Sequence, residues 1–110
     1  MSTNQILLEA LTPILPTFPD VTPDEDIKEY LIFSYDVTAV SYGDDAPQER
    51  ILAVRVDYFA PVKKNTMATR EAITAALWAL DGTYPYVSND SDKLGQHYVF
   101  DFEMLEDADA

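Results

Sequence analysis

The sequence predicts an α+β fold: an antiparallel sheet of about four strands, built from a long β-hairpin and C-terminal strands, with two helices packed on one face. Three observations carry that expectation. Within residues 49–60, Leu52, Val54, Val56 and Tyr58 alternate with Ala53, Arg55 and Asp57, the period of a strand with one buried face. Residues 98–104 repeat it, with Tyr98, Phe100, Phe102 and Met104 set against Val99, Asp101 and Glu103. Stretches of helical period lie on either side of the hairpin, and such helices cover a sheet best from its apolar face.

Taken in order, residues 3–15 form a short amphipathic helix, with Leu7, Ala10, Leu11 and Ile14 on one face. Ser2, Thr3 or Asn4 can cap it, and Pro13 and Pro16 end it. Residues 16–26 hold Pro16, Pro19 and Pro23 and read as an extended connector without regular structure, closing on the acidic cluster Asp24, Glu25, Asp26. Residues 29–42 are rich in β-formers, and residues 43–47 supply a polar turn of more than two residues. The second strand of the hairpin stops at Pro61. A helix from about residue 66 to Leu80 follows, capped by Asn65 or Thr66, with Ile73, Ala76, Leu77 and Leu80 as its apolar face. Asp81-Gly82 ends it, with the glycine expected at the left-handed position. Tyr84, Tyr86 and Val87 suggest a short strand broken by the polar residues 88–93, and residues 106–110 read as a frayed tail.

The whole chain, 1–110, reads as one domain, since 110 residues at 47% hydrophobic and 12% aromatic content suffice for one core. Twenty acidic against seven basic side chains leave a net charge of −13, which argues against sequence-specific nucleic-acid binding, because that requires clustered Lys and Arg. With no cysteine there is no disulfide, thiolate nucleophile or sulfur-ligated metal. No apolar run reaches the length of a membrane span, and the start Met1-Ser2-Thr3-Asn4-Gln5 lacks the basic residues of a signal peptide. The expectation is a soluble chain with no cofactor and no membrane partner.

Catalytic and metal motifs are weak. Asp90, Asp92, Gly95 and Asp101 match the spacing of a calcium loop, but Leu94 occupies a ligand position, so a polar hairpin turn is the better reading. His97, the only histidine, has no nucleophile elbow near it and reads as a strand-start residue on the wetter face. Three scattered glycines build no phosphate loop. Met67 and Trp78 fall off the main face of the second helix. They form either a partner-binding stripe or the flank of a wide apolar face buried under the first helix. Arg55 and Asp57 lie two apart on the outer face of their strand and can pair with a neighbouring strand or subunit. Residues 41–49 read as a mobile hairpin tip whose acids, Asp44, Asp45 and Glu49, can line a channel in an assembly. Lys63 and Lys64 read as part of a solvated loop. A reading from another class is a ligand-binding or enzymatic domain with a pocket between helix and sheet and Tyr58, Tyr84 or His97 at its mouth.

The order of these elements is itself informative. An amphipathic helix leads through a proline-broken connector to Tyr30-Leu31-Ile32-Phe33-Ser34-Tyr35. An acidic turn then leads to Ile51-Leu52-Ala53-Val54-Arg55-Val56-Asp57-Tyr58-Phe59. A helix opening Thr69-Arg70-Glu71-Ala72-Ile73 precedes a closing strand His97-Tyr98-Val99-Phe100-Asp101-Phe102-Glu103. In order and texture, over nearly the whole chain, this resembles the small tail-terminator, or tail-completion, proteins of long-tailed phages and prophages. The resemblance implies a non-enzymatic virion protein without catalytic or cofactor residues. It implies a ring, typically a hexamer, that caps the tail tube, ends its polymerisation and offers a surface to the head connector. Partners would be further copies of the chain, the tail-tube protein and connector proteins, in the virion tail and in the host cytoplasm during assembly. Small head–tail connector proteins share this size and habitat.

Overall fold

The computed structural model describes residues 2–24, 26–43 and 46–107, with backbone alone for residues 39–43, 46–49 and 107. The fold is α+β: a five-stranded, mostly antiparallel sheet with two helices on one face. Helix α1 spans Thr3–Leu11, strand β1 Thr17–Pro19, β2 Tyr30–Gly43 and β3 Ala46–Ala60; α2 spans Met67–Trp78, β4 Tyr86–Asn89 and β5 Gln96–Asp107. The strand order is β1-β2-β3-β5-β4, and the β1–β2 pair is parallel.

Helix α1 begins in a capping box: the Gln5 amide donates to Ser2 Oγ at 3.2 Å, and the Ser2 amide donates back to Gln5 Oε1 at 3.0 Å. It ends at Leu11, four residues sooner than the apolar pattern suggests. Beyond Leu11 the amides of Ile14 and Leu15 both turn onto the Leu11 carbonyl, a tight close around Pro13. The connector that follows is not free of regular structure, as expected, but supplies β1. Its prolines do not obstruct the pairing, because Pro16 contributes a carbonyl, which accepts from the Leu31 amide at 2.9 Å, and β1 lies at the sheet margin.

The hairpin is longer and its turn shorter than expected. Pairing runs from Tyr30↔Phe59 to Gly43↔Ala46, so Ala46 and Pro47 belong to β3, and Ser41 pairs with Glu49. Asp44 and Asp45 lie outside the described residues. The ladder shifts register between Val37 and Ala39, where Thr38 Oγ1 donates to the Ile51 carbonyl at 3.1 Å. At strand lengths of 14 and 15 residues, the hairpin gives the molecule extents of 54 × 25 × 22 Å.

The alternation read from β3 and β5 is the one observed. Leu52, Val54, Val56 and Tyr58 join Phe100, Phe102 and Met104 in the core, with Leu31 and Phe33 from β2, Leu7 and Leu11 from α1, and Ile73 and Leu77 from α2. Each such side chain contributes roughly 1.5–3 kcal/mol on burial. Nor is the tail frayed at Glu106, which lies in β5, is 8% exposed and pairs with Arg50 on β3.

The N-terminus of α2 is capped at the expected residues, and its C-terminus differs from expectation for a physical reason. Thr66 is the N-cap residue, but its hydroxyl is engaged elsewhere, donating to Gln96 Oε1 and accepting from Arg70 Nε; Asn65 Oδ1 takes the Met67 amide instead. After the helix, the left-handed residue is Asp81, at φ 63°, and not Gly82. Gly82 is needed for another reason. A β-carbon there would overlap the backbone carbonyl of Glu103, so only glycine lets this turn lie against β5. Strand β4 runs on through the polar Ser88 and Asn89, because backbone pairing with β5 decides its length.

Candidate functional site

An open groove lies where α2 meets β4. Burial of Ile73 and Leu77 fixes the roll of α2 on the sheet, and that roll turns Met67 and Trp78 outward toward the β4 margin. Met67 is 61% exposed and Trp78 51%, so helix α1 does not cover them. Tyr84 stands edge-on to Trp78 with ring centroids 5.2 Å apart, and Val87 lies beyond it. Together with Arg70, Glu71, Thr74 and Ala75 these residues line an open groove of about 490 Å³. Tyr86 continues the apolar surface around the margin onto the other side of the sheet, opposite Asp101. Arg70 is the groove's one cation, and it is held: Nε donates to Thr66 Oγ1 at 3.1 Å and the guanidinium lies 4.4 Å from the Tyr98 ring centroid.

The composition of this surface is that of Met and aromatic anchors at interfaces. It offers apolar area rimmed by polar groups, which a partner covers with gain and water covers without. Met67 and Trp78 are flagged by the sequence as a candidate interface; Tyr86 and Val87 are read there as a short strand alone, and Tyr84 as part of that strand or the mouth of a pocket. The signal present was an aromatic pair, Tyr84 and Tyr86, outside any alternating run that feeds the core.

The remaining candidate residues do not converge on one site. Tyr58 is fully buried in the core. Tyr84 lies beside α2. His97 lies on the uncovered face, stacked on Phe59 at 4.3 Å. Of these alternatives, Tyr84 is the one that lines the groove between α2 and the sheet. On that uncovered face Phe18, Tyr30, Phe59 and His97 form a row of rings across β1, β2, β3 and β5, spaced 6.4, 5.0 and 4.3 Å apart. Beside it His97 Nε2 meets Asp57 Oδ1 at 2.8 Å, and Arg55 Nε is 3.6 Å from the same oxygen. The partner of Asp57 is therefore on a neighbouring strand, while Arg55 is half exposed and leans on its own strand. Of the three hairpin acids, Glu49 lies on β3 opposite Ser41, and Asp44 and Asp45 are outside the described residues.

Glu29 sits where the connector meets the core. Tyr58 Oη donates to its Oε2 and Lys64 Nζ to its Oε1, both at 2.7 Å. Lys64 thus clamps Glu29 from the exposed loop in which it was expected. Burial pushes the Glu29 carboxyl up, but the hydrogen bonds from Lys64 and Tyr58 and the lysine's charge outweigh it, and the net direction is down. Burial, and then the Glu29 carboxylate, push the Tyr58 phenol well above its ordinary value, so it stays a donor. In the loop with calcium-like spacing, Asp92 Oδ1 instead accepts the amides of Leu94 and Gly95, the work of a turn residue. Among the described residues no group of three or more His, Asp or Glu side chains is placed to hold a metal, and no helix is long and apolar enough to cross a membrane.

No family model matches the chain, and no curated protein matches it.

Proposed function

We propose that this chain is a non-enzymatic virion assembly protein of the tail-terminator kind, acting as a ring that caps the tail tube and joins it to the head. The exposed apolar strip of Met67, Trp78, Tyr84, Tyr86 and Val87 carries this reading, because these side chains lie together and a protein partner would cover them with gain. The order of elements in the sequence, which resembles that family along nearly its whole length, supports it further. The hairpin is also in keeping: its strands of 14 and 15 residues make a long paired arm, a reach suited to contacting a neighbour in a ring. In this role the partners are other copies of the chain, the tail-tube protein and the head connector. The chemistry is recognition alone, with neither cofactor nor nucleic-acid sequence read.

Electron microscopy of particles assembled from a genome lacking this coding sequence tests the role. Over-long or headless tails support it. Virions of normal length with heads attached reject it.

A further inference from the structure

The groove beside α2 opens directly onto the margin of the sheet. Among the described residues strand β4 pairs only with β5, and its other side faces no strand. The Asp90 amide donates to the His97 carbonyl at 2.8 Å, so Asp90 takes the place of a hydrogen-bonded pair in the ladder, with the His97 amide turned to Ser91 Oγ. In an antiparallel ladder such pairs alternate, so Ser88 and Tyr86 also bond toward β5, while the amides and carbonyls of Val87 and Asn89 point away from it. Val87 is opposite Phe100 and shares its face, so its side chain lies on the α2 side, in the groove with Met67 and Trp78. Backbone donors and acceptors therefore stand in register with an apolar slot for alternate side chains, the two elements of strand addition.

Charge identifies the occupant. Glu71 lines the groove, Asp90 closes the end of β4, and Asp101 and Glu103 stand exposed on the far side of β5. The one cation lining the groove, Arg70, is already engaged by Thr66 and Tyr98, and Arg55, opposite Asp101 on β3, leans toward Asp57. A second copy of a chain of net charge −13 would meet these acids with its own. We propose that the β4 margin receives an extended, positively charged segment of a different protein, which adds as a sixth strand along Val87 and Asn89 with its apolar side chains under Met67 and Trp78. This inference does not depend on the virion role: peptide binding tests the margin, and particle morphology tests the role.

Trp78 is the sole tryptophan, so its fluorescence reports the groove directly. The probe is a short peptide alternating valine and threonine between terminal lysines, titrated into the intact protein. A saturable blue shift is expected. Methylating the peptide amides that face Val87 and Asn89 is expected to weaken binding about tenfold, since two hydrogen bonds are lost. Methylating the opposite set leaves binding within about twofold, because those amides face solvent. Replacing the terminal lysines by glutamates, or Glu71→Lys in the protein, weakens it as well. Absence of a saturable shift, or equal binding of both methylated peptides, overturns the proposal. So does a dimer of the free protein that Val87→Pro abolishes, since the occupant would then be a second copy.

Discussion

Tyr58→Phe removes a single oxygen from the centre of the molecule, and the consequence is calculable. The ring stays in place among Leu31, Val56 and Tyr98, so almost no cavity opens. What disappears is a 2.7 Å hydrogen bond donated to a carboxylate, the kind worth about 1.5–3 kcal/mol. Against a total stability of roughly 5–15 kcal/mol this is a large share. With an unfolding entropy of about 2.1 cal/mol/K per residue, it lowers the melting temperature by about 6–13 °C. The pH dependence has a definite sign. Glu29 is held below its ordinary value of 4.5, so its contribution is present above that pH and is lost as pH falls through the lowered native value. Tyr58 is one cause of the lowering, and a neutral carboxyl accepts a weaker bond. The gap between native protein and variant is therefore widest at neutral pH and narrows on acidification. Urea titrations followed by circular dichroism at neutral and acid pH measure it. A gap under about 0.5 kcal/mol at neutral pH, or one that widens in acid, refutes the clamp as described.

At the turn after α2, Gly82→Ala costs about 1–3 kcal/mol because its β-carbon meets a backbone carbonyl that cannot move aside. Asp81→Gly next to it stabilises by about 1 kcal/mol, since the left-handed conformation disfavours a side chain; thermal melts of both check the pair. Arg55→Ala leaves the monomer folded with a loss of no more than about 1 kcal/mol, the range of exposed ion pairs, and denaturant titration tests it. In sedimentation velocity the free protein, at −13, is expected to be monomeric at low salt and to associate as salt rises. The Debye length shortens from about 30 Å at 0.01 M to about 8 Å at 0.15 M, which weakens the repulsion between copies. A ring that forms at low salt and dissociates on adding salt contradicts this.

The parts of the fold legible in the sequence are those governed by local period. The inward sets of β3 and β5, the Ser2 cap and the buried face of α2 follow from spacing two or spacing three and four. What escaped was decided by distant partners. Strand β1 exists because the Pro16 carbonyl and the Asp20 amide find Leu31 and Phe33, which no window around residue 17 contains. Gly82 looked like a helix terminator because glycine usually is one, while its actual constraint is Glu103, twenty-one residues on. Val99 is only 1% exposed although it faces away from the helices, between Asp57 and Ser88 on the neighbouring strands. Of the candidate site, Met67 and Trp78 were visible as residues off the main helical face. Tyr86 and Val87 became part of it only once β4 was known to be the margin of the sheet.

Strand β5 is sixth after α1 in chain order among the seven elements, yet it occupies the place between β3 and β4. During synthesis the hairpin is complete long before its neighbour emerges. In that interval the long free side of β3, with Leu52, Val54, Val56 and Tyr58 still uncovered by Phe100 and Phe102, is open to any other strand it meets. Closure must wait for a contact between residues some forty positions apart, which is slow compared with hairpin formation. The nascent chain is therefore most prone to aggregate just before the sheet is joined, and crowding of acidic side chains along the same polypeptide is what keeps such half-made copies apart.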